Sequence, residues 1–357
     1  MEQQININRI FDSRLKEVDF GNIPLGTVFT DHMFICDYKN GMWQNPRIEP
    51  LEFIPTHPAA MALHYGQAIF EGMKATVGIN NTPLLFRPEQ NAKRFNSSAA
   101  RLGMPSVSEA LFVNAVKQLV GLEHAWIPPQ EGSALYLRPF MYADEPFIGM
   151  RAATSYKFMI ICSPAGPFFT KKIRLYAETQ YIRAADGGTG EAKAAGNYAA
   201  AILPTEKAKA KGYDQVLWLD AKEHKYVQEV GTMNIFFKVN GIFITPRTDG
   251  SILKGITRDS VITLLKDKGF QVEERPITID EVMSYAKEGK LEEAFGTGTA
   301  VAIAMVEAIG YKEEVITLPE RNPVSQDMKK VLDEIKTQKQ EDKYGWIIPV
   351  TIEERVG

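Results

Sequence analysis

Hydrophobic residues recur along the first half of the chain with two different spacings, which separate predicted strands from predicted helices. Extended apolar runs predict strands over 27–38, up to Phe86, and over 133–142 and 157–163. Apolar positions three or four residues apart predict a helix from Pro88 to about Leu102. Ser106 and Glu109 have the spacing of a capping box, which predicts the start of another helix.

In the second half, short β-like runs follow one another closely, without helices between them. They are predicted over 215–220, 225–230, 234–239 and 241–245. Asn240-Gly241 is typical of a tight hairpin turn between the last two, so this sheet is expected to be mainly antiparallel. Helices are predicted farther along the chain, over 257–269, 279–289 and 323–338.

A Pro/Gly-rich stretch at 164–167 indicates the approach to a domain boundary. The predicted organisation is a smaller N-terminal α/β domain over 1–167, a linker over 168–176 and a larger C-terminal domain over 177–357. The expected fold class is therefore α/β or α+β, with two domains built from mainly antiparallel sheets flanked by helices.

Composition is that of an ordinary globular protein, since 45% of the 357 residues are hydrophobic and 24% are charged. A net charge of −3 gives no sign of a nucleic-acid or membrane partner. Cys36 and Cys162 lie in apolar runs and are expected to be buried thiols of a reducing compartment. With a first stretch unlike a signal peptide, a cytoplasmic location is expected, and the five histidines lack the spacing of metal ligands.

The most informative segment surrounds Lys193, in Gly187-Gly188-Thr189-Gly190-Glu191-Ala192-Lys193-Ala194-Ala195-Gly196-Asn197-Tyr198. Small neighbours leave room for a bulky group to reach the amine. A lysine in such surroundings can form an imine with an aldehyde such as pyridoxal 5'-phosphate (PLP). A solvated lysine in an ordinary loop is the simpler interpretation of this segment by itself.

Two stretches could bind the phosphate of such a cofactor. Gly255-Ile256-Thr257 precedes a predicted helix for which Thr257 is the candidate N-cap, and free N–H groups at a helix start bind phosphate. Gly296-Thr297-Gly298-Thr299-Ala300 is a turn that can present further donors. Arg87, between a strand end and a helix start, could neutralise the dianion. Each feature also has an ordinary structural explanation, as a helix cap, a turn or a surface arginine.

Glu229 lies in the apolar run Val227-Gln228-Glu229-Val230. A carboxylate there costs free energy unless it has a partner, and the protonated nitrogen of a pyridine ring would be one. The alternative is a glutamate that faces solvent at a strand edge.

Tyr136 and Arg138 are two positions apart in a predicted strand, which places both side chains on one face of the sheet. A tyrosine beside an arginine suits recognition of a carboxylate. An exposed polar face explains the same pattern equally well.

Taken together, the motifs resemble those of the branched-chain amino-acid aminotransferases, which are class IV, fold type IV PLP enzymes. The matching segments follow the family's order and cover nearly the whole chain: FEGMKA (70–75), LFRP (85–88), LYLRP (135–139), GGTGEAKAAGNY (187–198), QEVGTMNIFF (228–237), GITRDS (255–260) and FGTGTA (295–300). The resemblance implies reversible transfer of the amino group of L-leucine, L-isoleucine or L-valine to 2-oxoglutarate, which gives the 2-oxo acid and L-glutamate.

The resemblance also implies roles for individual residues around the cofactor. Lys193 would bond the PLP aldehyde and later move the proton of the substrate α-carbon. Tyr198 would hydrogen-bond the ring oxygen, and Glu229 would pair with the pyridine nitrogen. The phosphate would be held by Arg87, Ile256, Thr257 and Thr299.

For the substrate, the resemblance implies a carboxylate site and an apolar pocket. The carboxylate-binding residues would be Tyr65, Arg138, Thr299 and Ala300. The apolar pocket would be formed by Phe29, Phe70, Tyr136 and, from the second subunit of a homodimer, Met150. Because Met150 replaces a smaller valine of some relatives, the order of preference among the three amino acids stays open.

Two other interpretations remain at this point. A D-amino-acid aminotransferase or aminodeoxychorismate lyase would share the lysine and the glutamate but differ in substrate. A non-catalytic phosphate- or nucleotide-binding module would use only the Gly/Thr turns. The FEGMKA and LYLRP segments favour the branched-chain enzyme.

Overall fold

The computed structural model describes residues 4–23, 26–166 and 171–353. Contacts within the chain divide it into two compact units. The first comprises Met1–Phe168, Lys193–Ala195 and Asp333–Gly357, and the second comprises Phe169–Ala192 and Gly196–Leu332.

The strands of the described residues are, in chain order, β1 (Asn6–Ile7), β2 (His32–Lys39), β3 (Met42–Pro50), β4 (Ala68–Phe70), β5 (Met73–Val77), β6 (Pro83–Phe86), β7 (Ala134–Ala143), β8 (Tyr156–Ala165), β9 (Ile173–Ala177), β10 (Gln215–Leu219), β11 (Val227–Val230), β12 (Asn234–Val239), β13 (Ile242–Thr245), β14 (Val272–Glu274), β15 (Leu291–Gly298), β16 (Ala302–Tyr311), β17 (Glu314–Thr317) and β18 (Ile347–Pro349). The α-helices are α1 (Met61–Tyr65), α2 (Pro88–Arg101), α3 (Glu109–Glu123), α4 (Ala195–Ala210), α5 (Ile256–Asp267), α6 (Ile279–Lys287) and α7 (Pro323–Lys336). Within the described residues, no helix is long and apolar enough to cross a bilayer.

The first unit is built on a sheet in the order β1-β3-β2-β8-β7-β5-β6-β18, with β4 paired to β7. Its strands pair antiparallel except β1 with β3. Alternation along β7 buries Leu135 and Leu137 in the core, which also contains Phe95 of α2 and Phe112 of α3. The predicted division of β7 into two faces is therefore confirmed, and Tyr136 belongs to the other face.

The predicted boundaries of two elements in the first unit were wrong. The strand predicted over 27–38 begins only at His32, and the preceding Asp31 uses its carboxylate to accept hydrogen bonds from Ser13 and Arg14. Helix α3 is capped by Ser108, whose Oγ accepts the N–H of Leu111, so the proposed capping box of Ser106 and Glu109 does not form. A second serine two residues later provided a better N-cap.

The second unit is built on a sheet in the order β11-β10-β9-β16-β15-β12-β13-β14, with β17 on β16. Asn240 and Gly241 both have positive φ, 48° and 78°, as the predicted hairpin turn requires. Most strand pairs are antiparallel, as expected, but β9 lies parallel to β10 and β16, and β13 parallel to β14.

The predicted domain limits differ from these units at two places. The linker expected over 168–176 overlaps β9, because Leu175 and Ala177 alternate into the buried core of the second unit. Residues 167–170 lie outside the described part of the chain. The chain after Leu332 groups with the first unit, since β18 pairs with β6.

Both cysteines are buried and free, Cys36 on β2 and Cys162 on β8. Burial raises the pKa of the Cys36 thiol to about 12, and the pKa of Cys162 also rises well above its ordinary value. The expectation that both thiols are buried is confirmed.

Candidate active site

The main chain of Lys193 is fixed within the first unit. Its N–H donates to the buried Oγ of Ser98 on α2 over 2.9 Å, and its carbonyl accepts the N–H of Phe70 over 3.0 Å. A β-bridge between Ile69 and Ala194 continues this contact. The lysine is therefore held by α2 and β4 rather than carried on a free loop.

The amine of Lys193 lies beside an aromatic and cationic group of side chains. Its Nζ is 5.1 Å from the centre of the Phe70 ring, and the guanidinium carbon of Arg138 is 4.6 Å from that centre. The Nη2 of Arg138 donates to the hydroxyl of Tyr136 over 2.8 Å. A side chain at Gly72 would collide with that hydroxyl, so the glycine of the FEGMKA segment gives Tyr136 its space.

Burial lowers the pKa of Lys193 to about 8, because desolvation disfavours the charged amine. The Arg94 guanidinium lowers the pKa further, while the carboxylate of Glu71 opposes the shift. Glu71 is completely buried and bound through both oxygens by Arg94, at 2.8 and 2.7 Å, with Asn91 donating at 2.8 Å. A lysine with such a pKa has a usable fraction of neutral amine near neutral pH.

Glu229 lies on β11 of the second unit and is 3% exposed. Its Oε2 is 3.0 Å from the Nε of Arg183, and its Oε1 accepts from the N–H of Leu253 at 2.9 Å and from Asn234 at 3.1 Å. Arg183 is therefore one partner of this buried carboxylate, and the pairing of Glu229 with a pyridine nitrogen stays a prediction. What the structure adds is a buried carboxylate that is held in one orientation.

Tyr198 and Glu229 line the same pocket of the second unit, together with Gly190, Thr232 and Arg183. Tyr198 lies in the first turn of α4, and its neighbour Asn197 fixes the loop that leads into Lys193. The side chain of Asn197 donates to the carbonyls of Thr189 and Ala192, at 2.7 and 2.8 Å.

The predicted phosphate-binding stretches also lie in the second unit. Helix α5 begins at Ile256 and has Gly255 as its N-cap, without a capping side chain, so the prediction that Thr257 caps it was wrong. Thr257 is instead a buried residue of the first turn. Because a side chain at Gly255 would collide with Asn234, the helix start lies beside the group that binds Glu229. Thr299 and Ala300 form a half-buried turn after β15.

The other predicted residues belong to the first unit. Arg87 is the N-cap of α2 with a φ of 51°, and its guanidinium carbon lies 5.1 Å from the ring of Trp346. Such a φ is strained for a residue other than glycine and is common at functional sites. Phe29 precedes β2 and is half-buried, whereas Tyr65 and Met150 are 39% and 90% exposed.

Several residues of the site were not singled out from the sequence. Ser98, Glu71 and Arg94 surround Lys193, and Arg183 and Asn234 bind Glu229. Arg94 and Arg183 fall in segments without a distinctive spacing. Glu71 and Asn234 lie inside recognised motifs, so a polar residue inside an apolar motif was the available signal.

A family model described as amino-transferase class IV matches residues 68–309. The chain belongs to the class IV aminotransferases. Its sequence is 46% identical over 338 residues to branched-chain-amino-acid aminotransferase 2 of Bacillus subtilis, covering 93% of each chain. This aminotransferase is therefore a branched-chain-amino-acid aminotransferase, and a non-catalytic binding module is excluded.

Solved structures agree with this assignment of the aminotransferase. The branched-chain aminotransferase of Thermoproteus uzoniensis, solved with norvaline, superposes with a TM-score of 0.74 at 26% identity, covering 89% of this chain and 99% of that one. The T.th. branched-chain amino acid aminotransferase, complexed with N-(5'-phosphopyridoxyl)-L-glutamate, gives a TM-score of 0.70 at 27% identity, covering 88% and 97%. The expected two-sheet fold of mixed helices and strands is confirmed.

Proposed function

We propose that this aminotransferase moves the amino group of L-leucine, L-isoleucine or L-valine to 2-oxoglutarate, with PLP bound to Lys193. The observation that carries the proposal is the desolvated amine of Lys193, fixed by its main chain and placed beside Phe70 and Arg138. The solved relative that contains a phosphopyridoxyl adduct of L-glutamate supports both the cofactor and the dicarboxylate.

The residues present fit PLP by the chemistry of their donors. Lys193 offers an amine with a lowered pKa for the aldehyde, and the start of α5 offers main-chain N–H groups without a capping side chain for the phosphate. Glu229 would face the pyridine nitrogen, Tyr198 the ring oxygen, and Arg87, Ile256, Thr257 and Thr299 the phosphate. When bound, PLP supplies an electron sink for the charge that develops on the substrate α-carbon.

In the proposed reaction, Lys193 would hold the cofactor, and its neutral amine would take the α-proton of the substrate. Glu229 would favour a protonated ring nitrogen, because a carboxylate attracts the positive charge. The branched side chain is proposed to be enclosed by Tyr136, Phe70 and Phe29 of one subunit and by Met150 of the partner subunit. Tyr65, Arg138, Thr299 and Ala300 are proposed to bind carboxylates. A homodimer in the cytoplasm is part of this proposal.

The direct test is a titration of the purified protein, reconstituted with PLP, with L-leucine. We expect a yellow protein whose visible band shifts with L-leucine and returns with 2-oxoglutarate. Activity with D-alanine and none with L-leucine would instead support the D-amino-acid aminotransferase.

Arg138 is expected to contribute more to the binding of the dicarboxylate substrate than to the binding of the branched-chain substrate. Its Nε is buried and has no hydrogen-bond partner among the described residues. A carboxylate would satisfy it, and a bond to a charged group contributes about 1.5–3 kcal/mol. We therefore expect Arg138→Gln to lower kcat/KM for 2-oxoglutarate by about 10- to 100-fold and that for L-leucine much less. Kinetics of the separate half-reactions measure kcat/KM for 2-oxoglutarate and for L-leucine independently.

The control for this variant is Arg247→Gln, which changes an exposed arginine of the second unit. It should leave both half-reactions unchanged. Equal losses for L-leucine and 2-oxoglutarate in Arg138→Gln would contradict the assigned preference of Arg138 for the dicarboxylate.

The lowered pKa of Lys193 predicts how fast the apoenzyme takes up PLP. The neutral amine attacks the aldehyde, so the rate should increase with pH while Lys193 loses its proton and level off above about pH 8. An ordinary lysine, with a pKa of 10.5, would give a rate that still increases at pH 10. Stopped-flow absorbance after mixing apoenzyme with PLP measures the profile.

A further inference from the structure

The side chain of Arg183 joins three segments of the second unit that are distant in sequence. Its Nε lies 3.0 Å from the Oε2 of Glu229. Its Nη2 donates to the carbonyl of Gly190, over 3.2 Å, and to the carbonyl of Ser251. Glu229 is the residue proposed to pair with the pyridine nitrogen. Gly190 lies in the loop leading into Lys193, and Ser251 precedes α5.

The segments that Arg183 joins are in close contact with one another. A side chain at Gly190 would collide with the carbonyl of Ser251, so these two loops approach as closely as glycine allows. Ser251 in turn accepts the side-chain amide of Gln228, the neighbour of Glu229, over 2.9 Å. The guanidinium of Arg183 therefore connects two loops through the carbonyls of Gly190 and Ser251. Without Arg183, both carbonyls would lose this charged donor.

The ion pair of Arg183 and Glu229 is nearly removed from solvent, with side-chain exposures of 9% and 4%. Without the arginine, the buried carboxylate of Glu229 would lose this counter-ion, and burial makes an uncompensated charge costly. Leu253 and Asn234 would still donate to its Oε1, so the side chain would remain near its place but without the cation that stabilises its charge. The charge of Glu229 is thus the property that depends most on Arg183.

We propose that Arg183 is a positioning residue of this enzyme, which keeps Glu229 ionised toward the cofactor and locks the Gly190 loop and the Ser251 loop around it. The inference rests on the proposed function, because it assumes that Glu229 pairs with the pyridine nitrogen. Arg183 touches neither the substrate nor the reacting atoms in this scheme and acts through Glu229 and the two carbonyls.

The test uses the holoenzyme and the variants Arg183→Gln and Arg183→Lys. We expect Arg183→Gln to weaken PLP binding and to lower kcat with L-leucine, each by about 10- to 100-fold, which is usual when a residue supporting a site is lost. The KM for L-leucine should change by less than about threefold, since the substrate pocket is untouched. The pH at which the visible band changes should also move, because the charge beside the ring nitrogen has changed.

Arg183→Lys keeps the charge beside Glu229 but cannot also reach both carbonyls. It should recover the pH titration of the visible band while PLP binding stays several-fold weaker than in the unmodified enzyme. If Arg183→Gln does not fold, Arg183→Lys still tests whether Arg183 holds the two loops in place. Wild-type PLP affinity in Arg183→Lys would then overturn the locking role.

The matched control is Arg258→Gln. Arg258 is equally buried, pairs with Glu274 at 2.9 Å and donates to the carbonyl of Pro246 at 2.9 Å. Its loss should lower thermal stability without moving the pH titration of the band. Equal shifts in both variants, or none in Arg183→Gln, would overturn the proposal. An unmodified protein that lacks the visible band would instead count against the proposed function itself.

Discussion

Replacing Lys193 with alanine is expected to lower the turnover of L-leucine by about 10⁴-fold or more, since the change removes both the proposed covalent link to the cofactor and the proposed proton carrier. The protein should still fold, because the contacts that hold this segment are made by the main chain at position 193, to Ser98 and Phe70. Single-turnover absorbance with L-leucine measures the loss, and thermal unfolding checks the fold.

The matched control for that variant is Lys222→Ala, which changes an exposed lysine in a turn of the second unit. It should retain wild-type turnover and the visible band. Borohydride reduction followed by peptide mass analysis adds an independent readout, because the reduced cofactor should remain on the peptide with Lys193. A tag on a different lysine, or turnover retained by Lys193→Ala, would refute the central assignment.

Most elements of the fold could be predicted because their signals are local. Pro88 and Gly103 delimit α2 by fixed backbone preferences, and Asn240-Gly241 fixes a hairpin through two positive φ angles. The division of the chain was harder to predict because it depends on distant pairings. The partner of β18 is β6, more than 250 residues earlier in the chain, and no local pattern near Ile347 indicates it.

In the candidate site, too, local features could be predicted and contacts between distant segments could not. Lys193 and Glu229 were singled out as candidates from motifs, and the placement of Tyr136 beside Arg138 followed from the two-residue period of a strand. The electrostatic surroundings could not be deduced, because Arg183 and Arg94 reach their carboxylates from segments that are distant in sequence. A charged residue in an apolar motif predicts that a partner exists without specifying which residue it is.

Glu229→Gln is expected to lower kcat by about 10²- to 10³-fold, because it removes the fixed charge that would favour a protonated ring nitrogen. The change is close to isosteric, and the hydrogen bond from the N–H of Leu253 can persist. It leaves Arg183 buried without its counter-charge, which costs about 3–5 kcal/mol when one partner of a buried pair is removed. We therefore expect a lower free energy of unfolding together with the loss of turnover, measured by denaturant titration and by leucine kinetics.

Glu293→Gln separates these two effects, since Glu293 is a carboxylate of the same unit that is 1% exposed and lies on β15. Its oxygens accept from the N–H groups of Val324 and Ser325, at 3.1 and 2.9 Å, and it has no proposed part in the reaction. This variant should lose stability while kcat of the folded fraction stays within about twofold, as expected for a change outside the reacting groups. If Glu293→Gln lowered kcat as much as Glu229→Gln, the catalytic loss would reflect disturbed packing, and Glu229 would lose its assigned role beside the cofactor ring.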